Sequence, residues 1–267
     1  MDRAVLITGG TKGIGLGAAL AFARQGARAI LTYRFGSADP ADVIARFEAD
    51  GLQRPLIVEA DVANSADTAA LLERIHQDHD RVDTFISNVS FGLVVKDLSD
   101  YSFRALMRSI EYSAWPLFEY PRRMREVFGA YPRYIVGLSS GGPDHVYGNY
   151  DFAGASKAVL ETLCRYMNYR LFSENVRINV VRSRLVRTDS LRATFGDEFE
   201  PFAERFQAHR QFTTVEEIAD AIMVLCSGLM DGVSGQVLNV DRGTTFFDNL
   251  MGLFEQSDLW GGSHREA

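Results

Sequence analysis

The run Asn149-Tyr-Asp-Phe-Ala-Gly-Ala-Ser-Lys157-Ala places a phenol and an amine seven residues apart, with Ala153 four positions before the lysine. A phenol donates a hydrogen bond to an oxygen that gains negative charge, and a nearby ammonium favours that charge. Ser140 supplies a hydroxyl ten residues upstream of Tyr150. Tyr147 and His145 lie in the stretch between them. These are the candidate catalytic groups (Tyr150, Lys157, Ser140) and two candidate substrate contacts (Tyr147, His145).

The second chemical feature is Thr8-Gly9-Gly10-Thr11-Lys12-Gly13-Ile14-Gly15, between an apolar run and a helical pattern. Phosphate binding needs backbone N–H groups at close range and a helix N-terminus, with no side chains in the way. Gly9, Thr11, Lys12, Gly13, Ile14 and Gly15 are therefore expected to hold a nucleotide. A site for NAD usually carries an acid about 20 residues past the loop, on the ribose 2′-hydroxyl. Here the chain reads Thr32-Tyr33-Arg34. With the acid missing, Arg34 and Lys12 can converge on a 2′-phosphate, which points to NADP(H).

Short apolar runs must position these groups. They are AVLIT (4–8), RAILTY (28–33), PLIVEA (55–60), VDTFIS (82–87), RYIVGL (133–138), VRINVV (176–181) and QVLNV (236–240). Helical patterns lie between them near 14–25, 40–50, 65–79, 101–127, 152–173 and 214–227. Strand alternating with helix predicts βαβ units and a single α/β domain over 1–267, a Rossmann-like doubly wound parallel sheet of about seven strands with helices on both faces. Nearly all-apolar strands fit a sheet covered on both sides.

Two segments stand outside this rhythm. Residues 188–212 carry Phe195, Phe199, Phe202, Phe206 and Phe212 after the sixth strand, and are expected to form a substrate lid. The tail 244–267 carries Phe246, Phe247, Leu250, Leu253, Phe254 and Trp260. Packing against another subunit is the preferred expectation for it, and lining the pocket the other.

The chain has 267 residues, 46% hydrophobic and 24% charged, enough for one large core. Net charge −7 argues against a nucleic-acid partner. Four arginines (Arg182, Arg184, Arg187, Arg192) nevertheless cluster with one acid, Asp189. They read either as a solvated surface or as a landing site for an acidic carrier or a phosphate-bearing thioester. No apolar run approaches the roughly 20 residues of a membrane span. Two cysteines, Cys164 and Cys226, are too few for a disulfide framework and are expected to be buried and inert. The apolar strand begins within three residues of Met1, so no signal or transit peptide is expected, and the expected compartment is the cytoplasm. The histidines show no ligand spacing, and no metal is expected.

The chain resembles the short-chain dehydrogenase/reductases over nearly its whole length. TGGTKGIG is similar to their TGxxxGIG fingerprint, and Asp61-Val62 to the pair that holds adenine. Ser87-Asn88-Val89-Ser90 resembles a degraded Asn-Asn-Ala-Gly. Val186 and Thr188 match the Ile-x-Thr that touches the nicotinamide carboxamide and phosphate, and Gly235–Asp241 also fits. The resemblance implies that Asp61, Val62, Asn88, Val186, Thr188 and Lys157 contact the cofactor.

In the common branch of that family the tyrosine stands four before the lysine, where this chain has Ala153. Tyr150 to Lys157 is instead Tyr-x6-Lys, similar to the enoyl-thioester reductases, which include the enoyl-acyl-carrier-protein reductases. Hydride to a β-carbon builds charge on an oxygen three bonds away, so the donor must move accordingly. Ser109-Ile-Glu-Tyr-Ser-Ala114 resembles their ISxYS(F/Y) segment, and Asn88-Val-Ser90-Phe91 is a weaker echo of their Ser-Ile-Gly-Phe; Ser90, Phe91 and Phe195 join the candidate substrate contacts. Ser183-Arg184 replaces a frequent Pro-Gly, Asp241-Arg242-Gly243 replaces Asp-Gly-Gly, and Ser140 stands where many enoyl reductases have a second aromatic, a role open to Tyr147. The resemblance implies an NADPH-dependent reductase of an enoyl thioester, on acyl carrier protein or CoA, assembled as a homotetramer or homodimer. Two alternatives stay open: a carbonyl reductase in which Tyr150 or Tyr147 swings into the gap left by Ala153, and a non-catalytic NADP-binding sensor.

Overall fold

A computed structural model describes residues 3–36, 38–205 and 212–256. Seven parallel strands form one sheet in the order β3-β2-β1-β4-β5-β6-β7. They are β1 (Ala4–Ile7), β2 (Arg28–Tyr33), β3 (Leu56–Glu59), β4 (Thr84–Ser87), β5 (Tyr134–Ser140), β6 (Arg177–Ser183) and β7 (Val237–Val240). The predicted Rossmann-like α/β sheet is what the structure shows. The order reverses beside β1, so β1 and β4 diverge at the crevice where such sheets bind ligands.

Helices cover both faces. On one side α1 (Gly13–Arg24) and α9 (Val215–Leu225) pack Phe22, Ile218 and Ile222 on Val5, Ile7 and Leu31. On the other, α3 (Ser65–His76), α5 (Pro116–Phe128) and α6 (Asp151–Arg170) pack Leu72, Leu117 and Leu160 on Leu6, Ile30 and Ile135. Successive strand residues thus serve opposite cores, which requires the near-continuous apolar runs of the sequence. The remaining helices are α2 (Pro40–Ala49), α4 (Phe103–Ser113), α7 (Asp189–Phe195), α8 (Phe199–Arg205) and α10 (Asn249–Glu255).

The long helix expected over 101–127 is two helices. Pro116 has no N–H and clashes with a carbonyl one turn back. Hence α4 stops at Ser113 and α5 restarts with Pro116 in its first turn, where a missing donor costs nothing. Cys164 and Cys226 are buried and free. No helix among the described residues is long and apolar enough to cross a membrane.

Of the expected lid, 206–211 lie outside the described residues, Phe206 among them. The rest forms α7 and α8, where Leu191, Phe195, Phe199, Ala203 and Phe212 make a small apolar cluster of their own. In the tail, Phe246, Phe247, Leu250, Leu253 and Phe254 are exposed; Trp260 lies outside the described residues. No described residue of the tail lines the cavity described below, so the pocket-lining alternative for it is not seen.

Candidate active site

A cavity of about 390 Å³ opens at the carboxyl ends of the strands, from the glycine loop to Tyr150 and α7. At one end the backbone of Gly9 (φ 61) and Gly13 (φ 54) is left-handed, a conformation that side chains disfavour. No side chain caps the N-terminus of α1 and its first turn holds no acid, so its N–H groups remain available to an anion. The residues therefore fit a dinucleotide phosphate. Gly9, Thr11, Lys12, Gly13 and Ile14 line the cavity, with Arg34, Asp61, Val62, Asn88, Val186 and Thr188.

Gly15 does not line it, contrary to expectation. A Cβ there would meet the Gly9 carbonyl oxygen at 2.4 Å and Asn88 Nδ2 at 2.7 Å, so Gly15 lets the helix start pack under the loop. Asn88 holds that loop by donating from Nδ2 to the carbonyls of Thr8 (3.0 Å) and Gly9 (3.1 Å). Arg34 borders the cavity, lies 5.3 Å over the ring of Phe35 and pairs with Glu59. The Asp61 carboxylate accepts from Tyr112 Oη at 3.0 Å. Tyr112 lines the cavity too; it lies inside the Ser109–Ala114 segment, which signalled its place in the chain but not its contact with Asp61. The next residue, Ser113, bridges the Phe91 N–H and carbonyl through its Oγ, each at 2.8 Å, fixing the loop that carries Ser90 and Phe91 to the cavity wall.

Asn149 takes a left-handed φ of 64°, which asparagine tolerates better than most residues, and so turns the chain into α6. Tyr150 is the residue flanking the helix start. Its hydroxyl donates to Ser140 Oγ at 3.0 Å, and Ser140 Oγ also accepts from Gly142 N–H at 3.3 Å. Burial raises the Tyr150 pKa and the Ser140 hydrogen bond offsets part of that, so the phenol stays protonated at neutral pH. Lys157 is buried, lines the same cavity and donates from Nζ to the Leu138 carbonyl at 2.8 Å. Burial lowers its pKa to about 8, against the pull of Glu161 one turn on.

Ala153 leaves no gap. It is buried, and a Cβ on Gly92 would lie 2.7 Å from the Ala153 Cβ and 3.0 Å from its Cα. The swing of Tyr150 or Tyr147 into that gap is therefore corrected: the backbone of Gly92 fills it.

Tyr147 lines the cavity, edge-on to Tyr150 (5.9 Å between centroids) and to Phe195 (6.2 Å). His145 does not line it. Its ring stacks on Tyr147 at 6.3 Å and Nδ1 lies 3.3 Å from the Gly141 carbonyl oxygen, behind the wall.

The arginine cluster disperses. Arg182 is buried, donating from Nε and Nη2 to Glu161 (2.9 and 2.6 Å) and pairing with Asp144. Glu161 also accepts from Ser139 Oγ at 2.6 Å. Arg187 lies over the ring of Phe212 and Arg192 pairs with Glu200. Only Arg184 of the four lines the cavity, so the expected landing site is not assembled as a unit. Among the described residues no group of three or more His, Cys, Asp or Glu is placed to hold a metal ion.

A family model described as Enoyl-(Acyl carrier protein) reductase matches residues 9–245. The 1-cyclohexenylcarbonyl-CoA reductase of Streptomyces collinus is 31% identical over 89% of this chain and 85% of its own. The enoyl-acyl-carrier-protein reductase (NADH) FabI of Aquifex aeolicus is 26% identical over 96% of this chain and 94% of its own. Among solved structures, the Bacillus cereus enoyl-acyl carrier protein reductase with NADP+ and indole naphthyridinone superposes with a TM-score of 0.79 at 25% identity. That match covers 93% of this chain and all of the other.

Proposed function

Since the chain belongs to the enoyl-(acyl carrier protein) reductase family of short-chain dehydrogenase/reductases, we propose that it reduces the C=C bond of an enoyl thioester, on acyl carrier protein or CoA, with NADPH. The observation that carries this reading is the pairing of Tyr150 with Ser140 on the cavity wall shared by Lys157, while Gly92 seals Ala153. No residue within helix α6 brings a phenol to the cavity, and the one at its N-terminal flank is the displaced Tyr150.

NADPH, when bound, supplies the hydride for the β-carbon. Tyr150 donates a hydrogen bond to the thioester oxygen and stabilises the negative charge that develops there, and the α-carbon then takes its proton from solvent to complete the saturated thioester. Its raised pKa keeps the phenol a donor rather than an anion. Lys157 holds the nicotinamide ribose and, while protonated, adds a positive charge beneath the site. Glycine-loop residues and the start of α1 take the dinucleotide phosphates, and Asp61 and Val62 flank the adenine. Arg34 and Lys12 receive the 2′-phosphate, which is the basis for NADPH rather than NADH. Leu191, Thr194 and Phe195 form the lid side of the cavity. Assembly as a homotetramer or homodimer completes the proposal.

The Ser140–Tyr150 bond also favours a second reading, a ketone reductase using the same hydroxyl pair. Purified protein with NADPH, offered a crotonyl thioester or an acetoacetyl thioester, separates the two by loss of NADPH absorbance. Oxidation with crotonyl, abolished in Tyr150→Phe, is expected. Oxidation with acetoacetyl alone transfers the assignment to the ketone, and tight NADPH binding with no turnover of any acceptor returns the non-catalytic reading.

A further inference from the structure

Arg184, directly after β6, is a half-buried arginine on the cavity wall. Its Nε donates to Tyr147 Oη at 3.3 Å and its Nη1 to the Thr244 carbonyl at 2.6 Å. Both acceptors are neutral. Two of the five N–H donors of the guanidinium are thereby used. Arg34, Arg182, Arg192 and Arg242 each meet a carboxylate, whereas Arg184 meets none among the described residues. The two carboxylates lining the cavity do not serve it: Asp61 accepts from Tyr112 and the Ala63 N–H, and Asp189 is exposed at the start of α7.

A guanidinium drawn from water toward aromatic walls, with no counter-charge, is costly unless a ligand supplies one. Its planar fork matches a carboxylate in two-point contact. Its position decides which ligand. Tyr147, which it hydrogen-bonds, lies edge-on to Tyr150, so Arg184 belongs to the reacting end of the cavity. At the nucleotide end, phosphates already have the α1 N-terminus, Lys12 and Arg34. We propose that Arg184 is a specificity residue that binds a free carboxylate on the acyl chain, so that the preferred substrate is an enoyl thioester bearing a second, anionic end. This rests on the reductase reading above.

Two pairs of CoA thioesters test it. Glutaconyl and crotonyl CoA differ by a terminal carboxylate and report turnover with NADPH. Their saturated counterparts, glutaryl and butyryl CoA, report equilibrium binding to the protein with NADP+, whether or not reduction occurs. Wild type is expected to favour the carboxylated member of each pair by about tenfold or more in kcat/KM and in Kd. Arg184→Met should bring both ratios to about one, and Arg184→Lys should retain part of the preference. Because each variant is judged by a ratio, lost protein or a loosened tail cancels. A wild-type ratio at or below one, a ratio unchanged in Arg184→Met, or binding of neither saturated thioester overturns the inference. Preference for glutaryl that depends on Arg184, with no enoyl thioester reduced, removes the reductase reading and leaves the carboxylate site standing.

Discussion

Gly92 and Ala153, sixty-one residues apart in the chain, touch backbone to side chain: a Cβ on Gly92 would fall 2.7 Å from that of Ala153. The contact closes the place from which a side chain four before Lys157 would reach the cavity. A tyrosine placed there should not create a ketone reductase. Ala153→Tyr should overpack a buried site and cost about 1–3 kcal/mol or more, by the usual penalty for added core volume. Urea unfolding measures the loss, and an acetoacetyl thioester assay should show no gained activity; a stable variant that reduces the ketone contradicts the packing argument.

Tyr150→Phe removes one hydroxyl and keeps the ring that packs near Tyr147. Loss of a single donor to a developing oxyanion lowers kcat by roughly 10²–10³. The melting temperature should hardly move. Ser140→Ala keeps the phenol and should cost less than Tyr150→Phe; equal losses would make Ser140 the donor instead.

Lys157 dictates a pH dependence. Its folded pKa of about 8 lies below the ordinary 10.5, because burial disfavours the charged form. Between those values the unfolded chain binds the extra proton, so stability rises as pH rises from about 8 to 10.5. Below pH 8 the penalty is fully present, on the order of 3 kcal/mol. Lys157→Met should therefore gain stability relative to wild type at pH 7 and lose that advantage near pH 10, read by chemical denaturation at both. Activity should follow the opposite course, falling above about pH 8 as the cation is lost. The Tyr150 phenol, raised above 10, does not produce that limb. A flat rate from pH 7 to 9 argues that the charge on Lys157 does not assist the reaction.

Arg34 is held by Glu59 at the cavity edge. Arg34→Ala should weaken NADPH by about tenfold or more while leaving NADH nearly unchanged, since only NADPH carries the 2′-phosphate. Glu59→Gln frees the guanidinium and should tighten NADPH. Fluorescence titration with both nucleotides decides it, and equal losses for the two assign Arg34 to the phosphates they share.

Sequence by itself determined the parallel sheet, because alternating apolar strands and helical patterns are local and repeat along the chain. It also determined the glycine loop and the spacing of Tyr150 to Lys157, since each lies within one turn and one helix. Pro116 was a local signal for the break between α4 and α5, outweighed by the apolar pattern around it. Tertiary structure alone decided which side chains share a wall. His145 and Tyr147 are two residues apart, yet only Tyr147 reaches the cavity. Arg182 and Arg184 are also two apart, yet Arg182 is buried against Glu161 while Arg184 lines the cavity and meets no carboxylate among the described residues. Gly15 belongs to the fingerprint but packs beneath it, and Gly92 seals Ala153 from a distant loop. Such contacts depend on where separate elements meet, and no local pattern of residue types carries that information.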